Sequence, residues 1–88
     1  MVQGWIAARR QLCSGEKELE YLLLACPILD RVCYSVMVLS RQAGMTQFSR
    51  VEELTCDGGR AQQYFSSLAA GAVRPENLGE VLYELIST

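Results

Sequence analysis

Four cysteines are the residues of this chain with the widest range of chemistry. Cys13, Cys26, Cys33 and Cys56 could bind a metal ion, pair in disulfides or act as nucleophiles. Their spacings match neither a CxxC pair nor a zinc-binding pattern. The first residues do not resemble a secretory signal, so we expect a cytoplasmic protein in which the cysteines are reduced and pack as small apolar side chains. Disulfides are the alternative, in an oxidising compartment.

Histidine is missing from the sequence. The commonest general base and metal ligand of proteins is therefore absent, and a serine or cysteine nucleophile has no imidazole to activate it. The sequence also contains no GxGxxG, P-loop or HExxH motif. We therefore predict that the protein is not an enzyme and needs no cofactor.

The acidic cluster of Glu52, Glu53 and Asp57 could in principle bind a divalent cation through its carboxylate oxygens. Neighbouring residues of a regular strand point to opposite faces, however, so a solvated strand end is the favoured interpretation. The adjacent Gly58-Gly59 pair could expose N–H groups to an anion, but Asp57 would repel a phosphate there. We predict no metal site and interpret Asp57 as a helix cap.

Arginines are the main source of positive charge. Arg31, Arg41 and Arg50 could line up across neighbouring strands as an anion-binding patch, or they could protect strand edges from unwanted pairing. The net charge of −2 gives no basic surface for nucleic acid. No apolar run reaches the ~18 residues that a membrane span requires. We predict neither a nucleic-acid partner nor a membrane partner.

Residues 57–88 have the pattern of two consecutive amphipathic helices. Asp57 can cap the first helix, Gly71 can end it in the left-handed conformation, and Pro75 suits the first position of the second. Apolar residues recur at helical spacing along both segments, which indicates one buried face for each. These residues are Ala61, Tyr64, Phe65, Leu68, Ala69 and Ala72, and then Leu78, Val81, Leu82, Leu85 and Ile86.

The preceding residues alternate as strands do. Residues 19–26 and 32–41 show period two, whereas in residues 48–56 Val51 and Leu54 can share a face only across a bulge. Residues 1–18 fit either a short helix or a strand, and we favour the strand. We predict one α+β domain: an antiparallel meander of three or four strands followed by two C-terminal helices on one face of the sheet. Residues 1–18 are an extension or extra strand, residues 19–56 the strands, and residues 57–88 the helical cover.

The segment 32–41 is apolar on both faces, yet the sequence supplies only one helical layer. The N-terminal segment or a second subunit must then cover the other face. We predict a non-catalytic interaction module with an unknown protein partner, or with itself as a homodimer, through the sheet or its edge. The alternative is a small-molecule or anion sensor in the cleft between sheet and helices. For this interface or cleft we select Tyr34, Val36, Val38, Arg31, Arg41, Arg50 and Tyr64.

Several short motifs resemble a known family. Tyr34-Ser35-Val36 on a strand, Val51 to Thr55 leading to Asp57, and the Pro75-Glu76-Asn77-Leu78 helix start are similar to a family of short uncharacterised proteins from spore-forming Gram-positive bacteria. Members of the family typically have a tyrosine-glycine-isoleucine strand, and Ser35 stands where glycine is common. The resemblance covers about residues 19–87. It implies the fold predicted above and supplies no activity, cofactor or substrate.

Overall fold

The protein folds as a four-stranded antiparallel sheet followed by two helices. The computed structural model describes residues 4–87. The strands are β1 (Trp5–Ser14), β2 (Lys17–Ile28), β3 (Arg31–Gln42) and β4 (Met45–Thr55), paired in the order β1-β2-β3-β4. The helices are α1 (Gly58–Ala70) and α2 (Leu78–Ser87), and a 3₁₀ turn (Pro75–Asn77) precedes α2. The predicted α+β meander is confirmed with four strands, because the N-terminal segment is a strand from Trp5 onward. The part of that prediction that concerns Val2 and Gln3 lies outside the described residues.

Tight turns place each strand beside the previous one. Ala43 and Gly44 both have positive φ, 52° and 79°. Positive φ at both central residues of a two-residue turn gives the turn a twist that matches the twist of the two strands it connects. Gly15 and Leu29 occupy the other two turns, also with positive φ. Pro27 lies within β2, where it pairs with Val32 of β3. The pairing of β1 with β2 ends at Ala25, two residues before Pro27. A proline at this position removes no hydrogen bond to β1.

The hydrophobic core lies between one face of the sheet and the two helices. Alternate residues of β2 and β3 point toward the helices because side chains of a strand alternate between its faces. The hydroxyl of Tyr21 in β2 donates a hydrogen bond to the carbonyl oxygen of Val73, at 2.9 Å, and so joins the sheet to the α1–α2 connection. The core consists of Leu19, Tyr21, Leu23, Val36, Val38, Ala61, Phe65, Leu68, Ala69, Val73, Leu78 and Leu82.

The helix ends largely match the sequence prediction. The Asp57 carboxylate accepts a hydrogen bond from the Arg60 N–H at 3.1 Å, which confirms the cap, and Pro75 opens the turn before α2. The prediction for Gly71 is only half right. It ends α1 with φ −86°, and the left-handed residue is Ala72, with φ 49°. The Val73 N–H bonds the Leu68 carbonyl, so a Schellman motif places this conformation one residue later.

The predicted irregularity in β4 is confirmed. Tyr34 pairs with Thr55 while Val36 pairs with Val51, so three residues of β4 bulge opposite one residue of β3. Inside the bulge Glu53 has φ 51°, and its N–H donates a hydrogen bond to the Ser35 hydroxyl at 3.3 Å. Bulges of this kind bend the strand that contains them, and this one lies where β4 leaves the sheet for α1.

No helix between residues 4 and 87 combines the length and the apolar character that crossing a membrane requires.

Candidate functional site

The face of the sheet away from the helices is the candidate functional site, and we call it the open face. Tyr21 pairs with Val38 and Leu23 with Val36, and all four side chains are buried under the helices. The intervening residues of β2 and β3 therefore point the other way. Within the described part of the chain both helices lie on the first side, so the open face has no second layer.

Apolar side chains occupy the middle of the open face. Leu22 pairs with Met37 and Leu24 is their neighbour on the same face, and all three residues are half-buried. On the outer strands, Ile6 is 57% exposed and Phe48 is 67% exposed. We call this group the apolar centre, and it consists of Ile6, Leu22, Leu24, Met37, Leu39 and Phe48. A contiguous apolar patch of this kind is typical of a surface that another layer covers.

Ion pairs border the apolar centre. Glu20 of β2 lies between two arginines: its carboxylate accepts a hydrogen bond from Arg9 of β1 and another, at 3.2 Å, from Arg41 of β3. Arg41 also lies 4.0 Å from the Glu18 carboxylate. On the other side of the centre Arg50 and Glu52 of β4 are paired at 3.3 Å. These three arginines and three glutamates balance, so the border of the apolar centre carries no net charge.

Glu20 is the most enclosed of these charged groups, with 6% of the residue exposed. Burial raises the pKa of its carboxyl, but the hydrogen bonds and charges of Arg9 and Arg41 outweigh burial and hold that pKa below its usual value. The carboxylate therefore stays ionised at neutral pH. It ties three neighbouring strands together at one end of the apolar centre.

Three of the residues selected from the sequence lie on the covered face. Val36 and Val38 are 1% and 0% exposed beneath the helices, so neither can contact a partner, and their selection is corrected. The reason is register: the same alternation that makes β3 apolar on both sides turns these two valines toward α1 and α2. Tyr34 is half-buried on the same side, with its hydroxyl beside Gly58 at the start of α1. Tyr64 packs partly against the core.

The selected arginines do not act as one group. Arg31 is exposed beside the β2–β3 turn, at the other end of β3 from Arg41. Arg41 and Arg50 are each paired with a glutamate. Their positive charges are therefore neutralised locally, which removes the basis for an anion site built from these three residues.

The cysteines differ from the sequence expectation. Cys33 and Cys56 form a disulfide, so two of the four thiols expected to be reduced are paired. Cys13 and Cys26 are free. The 23-residue separation of the bonded pair gives no local signal of the bond. It arises because the β4 bulge brings Thr55 opposite Tyr34 and so sets Cys56 beside Cys33.

A separate depression lies where the sheet meets the 3₁₀ turn. It has a volume of about 320 Å³ and contains two cationic side chains, Lys17 and Arg74, and one carboxylate, Glu76. The remaining lining residues are Ser40, Gln42, Ala43, Met45 and Gln47. This is a cleft between sheet and helical segment, but it includes neither Tyr34 nor Tyr64. Its charges and amides could accept a small anion.

Sequence reasoning selected none of the six residues of the apolar centre, and it also missed Glu20. Leu22 and Leu24 made a second apolar face of residues 19–26 visible, and that signal could have identified the site. The pairing of Glu20 with Arg9 has no such signal, because the two residues are brought together by the β1–β2 register.

Comparison of the chain with protein-family models, with curated proteins and with solved structures gives no match. Among residues 4–87 no group of three or more histidine, cysteine, aspartate or glutamate side chains is placed so that it could hold a metal ion. The function proposed below therefore depends on the geometry of the open face alone.

Proposed function

We propose that this protein is a non-catalytic interaction module that self-associates, two copies stacking the open faces of their sheets. The observation that carries the proposal is the apolar centre, which neither helix covers. The sequence left two candidates for covering this face, the N-terminal segment and a second subunit. Between Trp5 and Ser14 the N-terminal segment is strand β1 in the plane of the same sheet, which favours the second subunit.

The size of the open face suits a dimer. Four strands spaced about 4.8 Å apart, of about 11 residues at about 3.3 Å each, make a face of about 700 Å². Two such faces in contact would bury about 1,400 Å², within the about 1,200–2,000 Å² of stable interfaces. Sheets that stack face to face lie about 10 Å apart, which lets side chains such as Leu22 and Met37 interdigitate.

The charge distribution also suits a contact between identical surfaces. The whole chain carries a net charge of −2, but the groups that border the apolar centre sum to zero. Two copies can therefore approach without net repulsion between these borders. Apolar side chains at the centre with charged side chains around them are the usual arrangement of a protein interface.

Pairing through a sheet edge is less well supported. In β1 the register shifts between Ile6 and Ala8, and in β4 it shifts opposite Ser35. Bulges of this kind twist an edge strand and interrupt the row of free N–H and carbonyl groups that a second strand would need. Arg9 and Arg10 add charge to the β1 edge. The faces, not the edges, are therefore the proposed contact.

Sedimentation of two matched variants tests this proposal. Phe48→Glu places a carboxylate in the apolar centre, whereas Tyr83→Glu places one on α2, where Tyr83 is 75% exposed. We expect the unsubstituted protein and Tyr83→Glu to sediment as dimers at micromolar concentration and Phe48→Glu to sediment as a monomer. A 9.8 kDa monomer for the unsubstituted protein would contradict the proposal, as would a dimer that only Tyr83→Glu breaks.

The second candidate function is binding of a small anion in the depression that holds Lys17 and Arg74. The specific observation in its favour is the presence of two cations in a concave site of about 320 Å³. Phosphate or sulfate that binds only the native state must raise the melting temperature. If the depression binds such an anion, we expect the anion to raise the melting temperature of the unsubstituted protein and of Arg60→Gln, a variant on the exposed surface of α1. We expect no rise for Arg74→Gln. An equal response of the two variants would reject it.

The family resemblance and the cytoplasmic location stay predictions. The Cys33–Cys56 bond weighs against a cytoplasmic location, because structural disulfides are rare in that compartment.

A further inference from the structure

Three cysteines form a row across three neighbouring strands. Cys26 of β2 is the direct register partner of Cys33 of β3, and Cys33 is bonded to Cys56, which follows β4. Partners that face each other across two strands share one side of the sheet, so all three side chains lie on the open face. Cys26 and Cys56 therefore flank Cys33 from opposite sides.

We propose that this row is a thiol–disulfide exchange site in which the bond migrates between two pairs of cysteines. The thiolate of Cys26 attacks the sulfur of Cys33, the Cys26–Cys33 bond forms, the Cys33–Cys56 bond breaks, and Cys56 leaves as a thiolate that takes up a proton. The proton that Cys26 loses to solvent balances the one that Cys56 gains. The step is an isomerisation and needs no oxidant or reductant.

The geometry of the row suits this step. Side chains directly opposite each other in an antiparallel pair have Cβ atoms about 4.5–5.5 Å apart, and a disulfide needs about 3.5–4.5 Å, so a small movement suffices. In thiol–disulfide exchange a thiolate attacks one sulfur of the disulfide, and the other sulfur leaves as a thiolate. Cys26 stands on the strand that flanks β3 on one side, and Cys56 follows the strand that flanks β3 on the other, so the attacking and the leaving cysteine lie on opposite sides of Cys33.

The exposure of the three residues favours the same roles. Cys33, the sulfur under attack, is buried, whereas Cys56, the leaving thiol, is exposed to water that can solvate its charge. Cys26 is half-buried, and its thiol donates a hydrogen bond to the Pro27 carbonyl oxygen at 3.8 Å. It also lines a depression of about 270 Å³ beside Trp5 and Ile6, so its thiol is open to solvent.

Exchange changes what the bond holds together. The Cys33–Cys56 bond fastens the residue before the Asp57 cap, and hence the start of α1, to the sheet. The Cys26–Cys33 bond joins only β2 to β3, which are already paired. The exchanged form therefore releases the connection between β4 and α1 and presents a free thiol there for modification by another thiol or disulfide.

Tryptic mapping tests the proposal directly, because each cysteine falls in its own peptide. Cys26 lies in peptide 18–31, Cys33 in 32–41, Cys56 in 51–60, and Cys13 in 11–17. Cys13→Ser protein, isolated without reductant, is held at about pH 5 and moved to about pH 8.5, near the ordinary pKa of cysteine. Samples taken over time are quenched with acid, blocked with a maleimide and digested.

We expect a linked pair of peptides 18–31 and 32–41 to grow at the higher pH, while the blocked thiol moves from Cys26 to Cys56 in equal amount. At about pH 5 the rate should fall at least about tenfold, because the thiolate is the nucleophile. The rate should not change on dilution, since the step is intramolecular. A link confined to peptides 32–41 and 51–60 at all times, or no link at all, would overturn the proposal, and so would a rate that falls on dilution.

A second variant tests the reach of the two sulfurs without exchange. With both Cys13→Ser and Cys56→Ser, oxidised glutathione should produce the bond between peptides 18–31 and 32–41. Mixed disulfides with glutathione that never resolve into that bond, in protein with an unchanged circular dichroism spectrum, would show that Cys26 cannot reach Cys33. If this variant does not fold, the time course of Cys13→Ser decides alone.

Discussion

Tyr21→Phe should destabilise the protein by removing a single buried hydrogen bond. Tyr21 is 1% exposed, and its hydroxyl donates to the carbonyl oxygen of Val73 at 2.9 Å. The substitution keeps the ring and its packing but leaves that carbonyl without this donor inside the core. A lost hydrogen bond with a buried acceptor left behind costs about 1–2 kcal/mol. For a domain of this size, that corresponds to a fall in melting temperature of roughly 5–15 °C.

The same substitution should change the pH dependence of stability at high pH. Burial raises the pKa of the Tyr21 hydroxyl above its ordinary value of 10.0. The folded state then holds the proton more tightly than the unfolded state does. This contribution to stability is fully present below about pH 10 and is lost as the pH rises from there through the raised pKa of the folded state. Phenylalanine has no proton to lose, so the stability gap between the two proteins should narrow above about pH 10.

Urea unfolding followed by circular dichroism, from neutral pH to about pH 11, measures both effects. Tyr83→Phe is the matched control, because Tyr83 is exposed on α2 and no comparable burial surrounds its hydroxyl. Its stability should equal that of the unsubstituted protein at every pH. Equal stability of Tyr21→Phe and the unsubstituted protein at neutral pH would contradict this expectation, and so would a stability gap that stays constant above about pH 10.

Two further substitutions test other parts of the structure. Glu20→Gln should cost about 1–2 kcal/mol at neutral pH, since it breaks the pairs with half-exposed Arg9 and Arg41. Because the folded-state pKa of Glu20 is lowered from 4.5, this contribution is present above that value and is lost as the pH falls through the folded-state pKa. Unfolding curves that differ equally at neutral and acidic pH would contradict it. Asp57→Ala should cost about 1 kcal/mol by removing the cap of α1, whereas Asp57→Asn should retain most of the stability; equal losses in thermal melts would reject the capping role.

The sequence predicted the parts of the fold that depend on local periodicity. Alternation in residues 32–41 predicted a strand that is apolar on both faces, and in the structure Val36 and Val38 point to one face while Met37 and Leu39 point to the other. The spacing of Val51 and Leu54 predicted the bulge, since a regular strand cannot place them together. Asp57 and Pro75 marked helix starts through local hydrogen bonding and a fixed φ.

The site depended on information that local patterns do not carry. Which face of β3 the helices cover is decided by packing, and the selection of Val36 and Val38 took the covered face for the accessible one. The contacts of Glu20 with Arg9 and of Cys33 with Cys56 depend on the register of separate strands. A shift of one residue in that register would turn either pair to opposite faces.

The proposed contact between open faces is tested most directly by an isotope-filtered nuclear Overhauser experiment on a mixture of labelled and unlabelled chains. Such an experiment reports only contacts between different copies. We expect intermolecular signals to the methyl groups of Leu22, Leu24 and Met37 on the open face, and none to Leu78 or Leu82 in the core. Intermolecular signals confined to the helices, or none at a concentration well above micromolar, would contradict it.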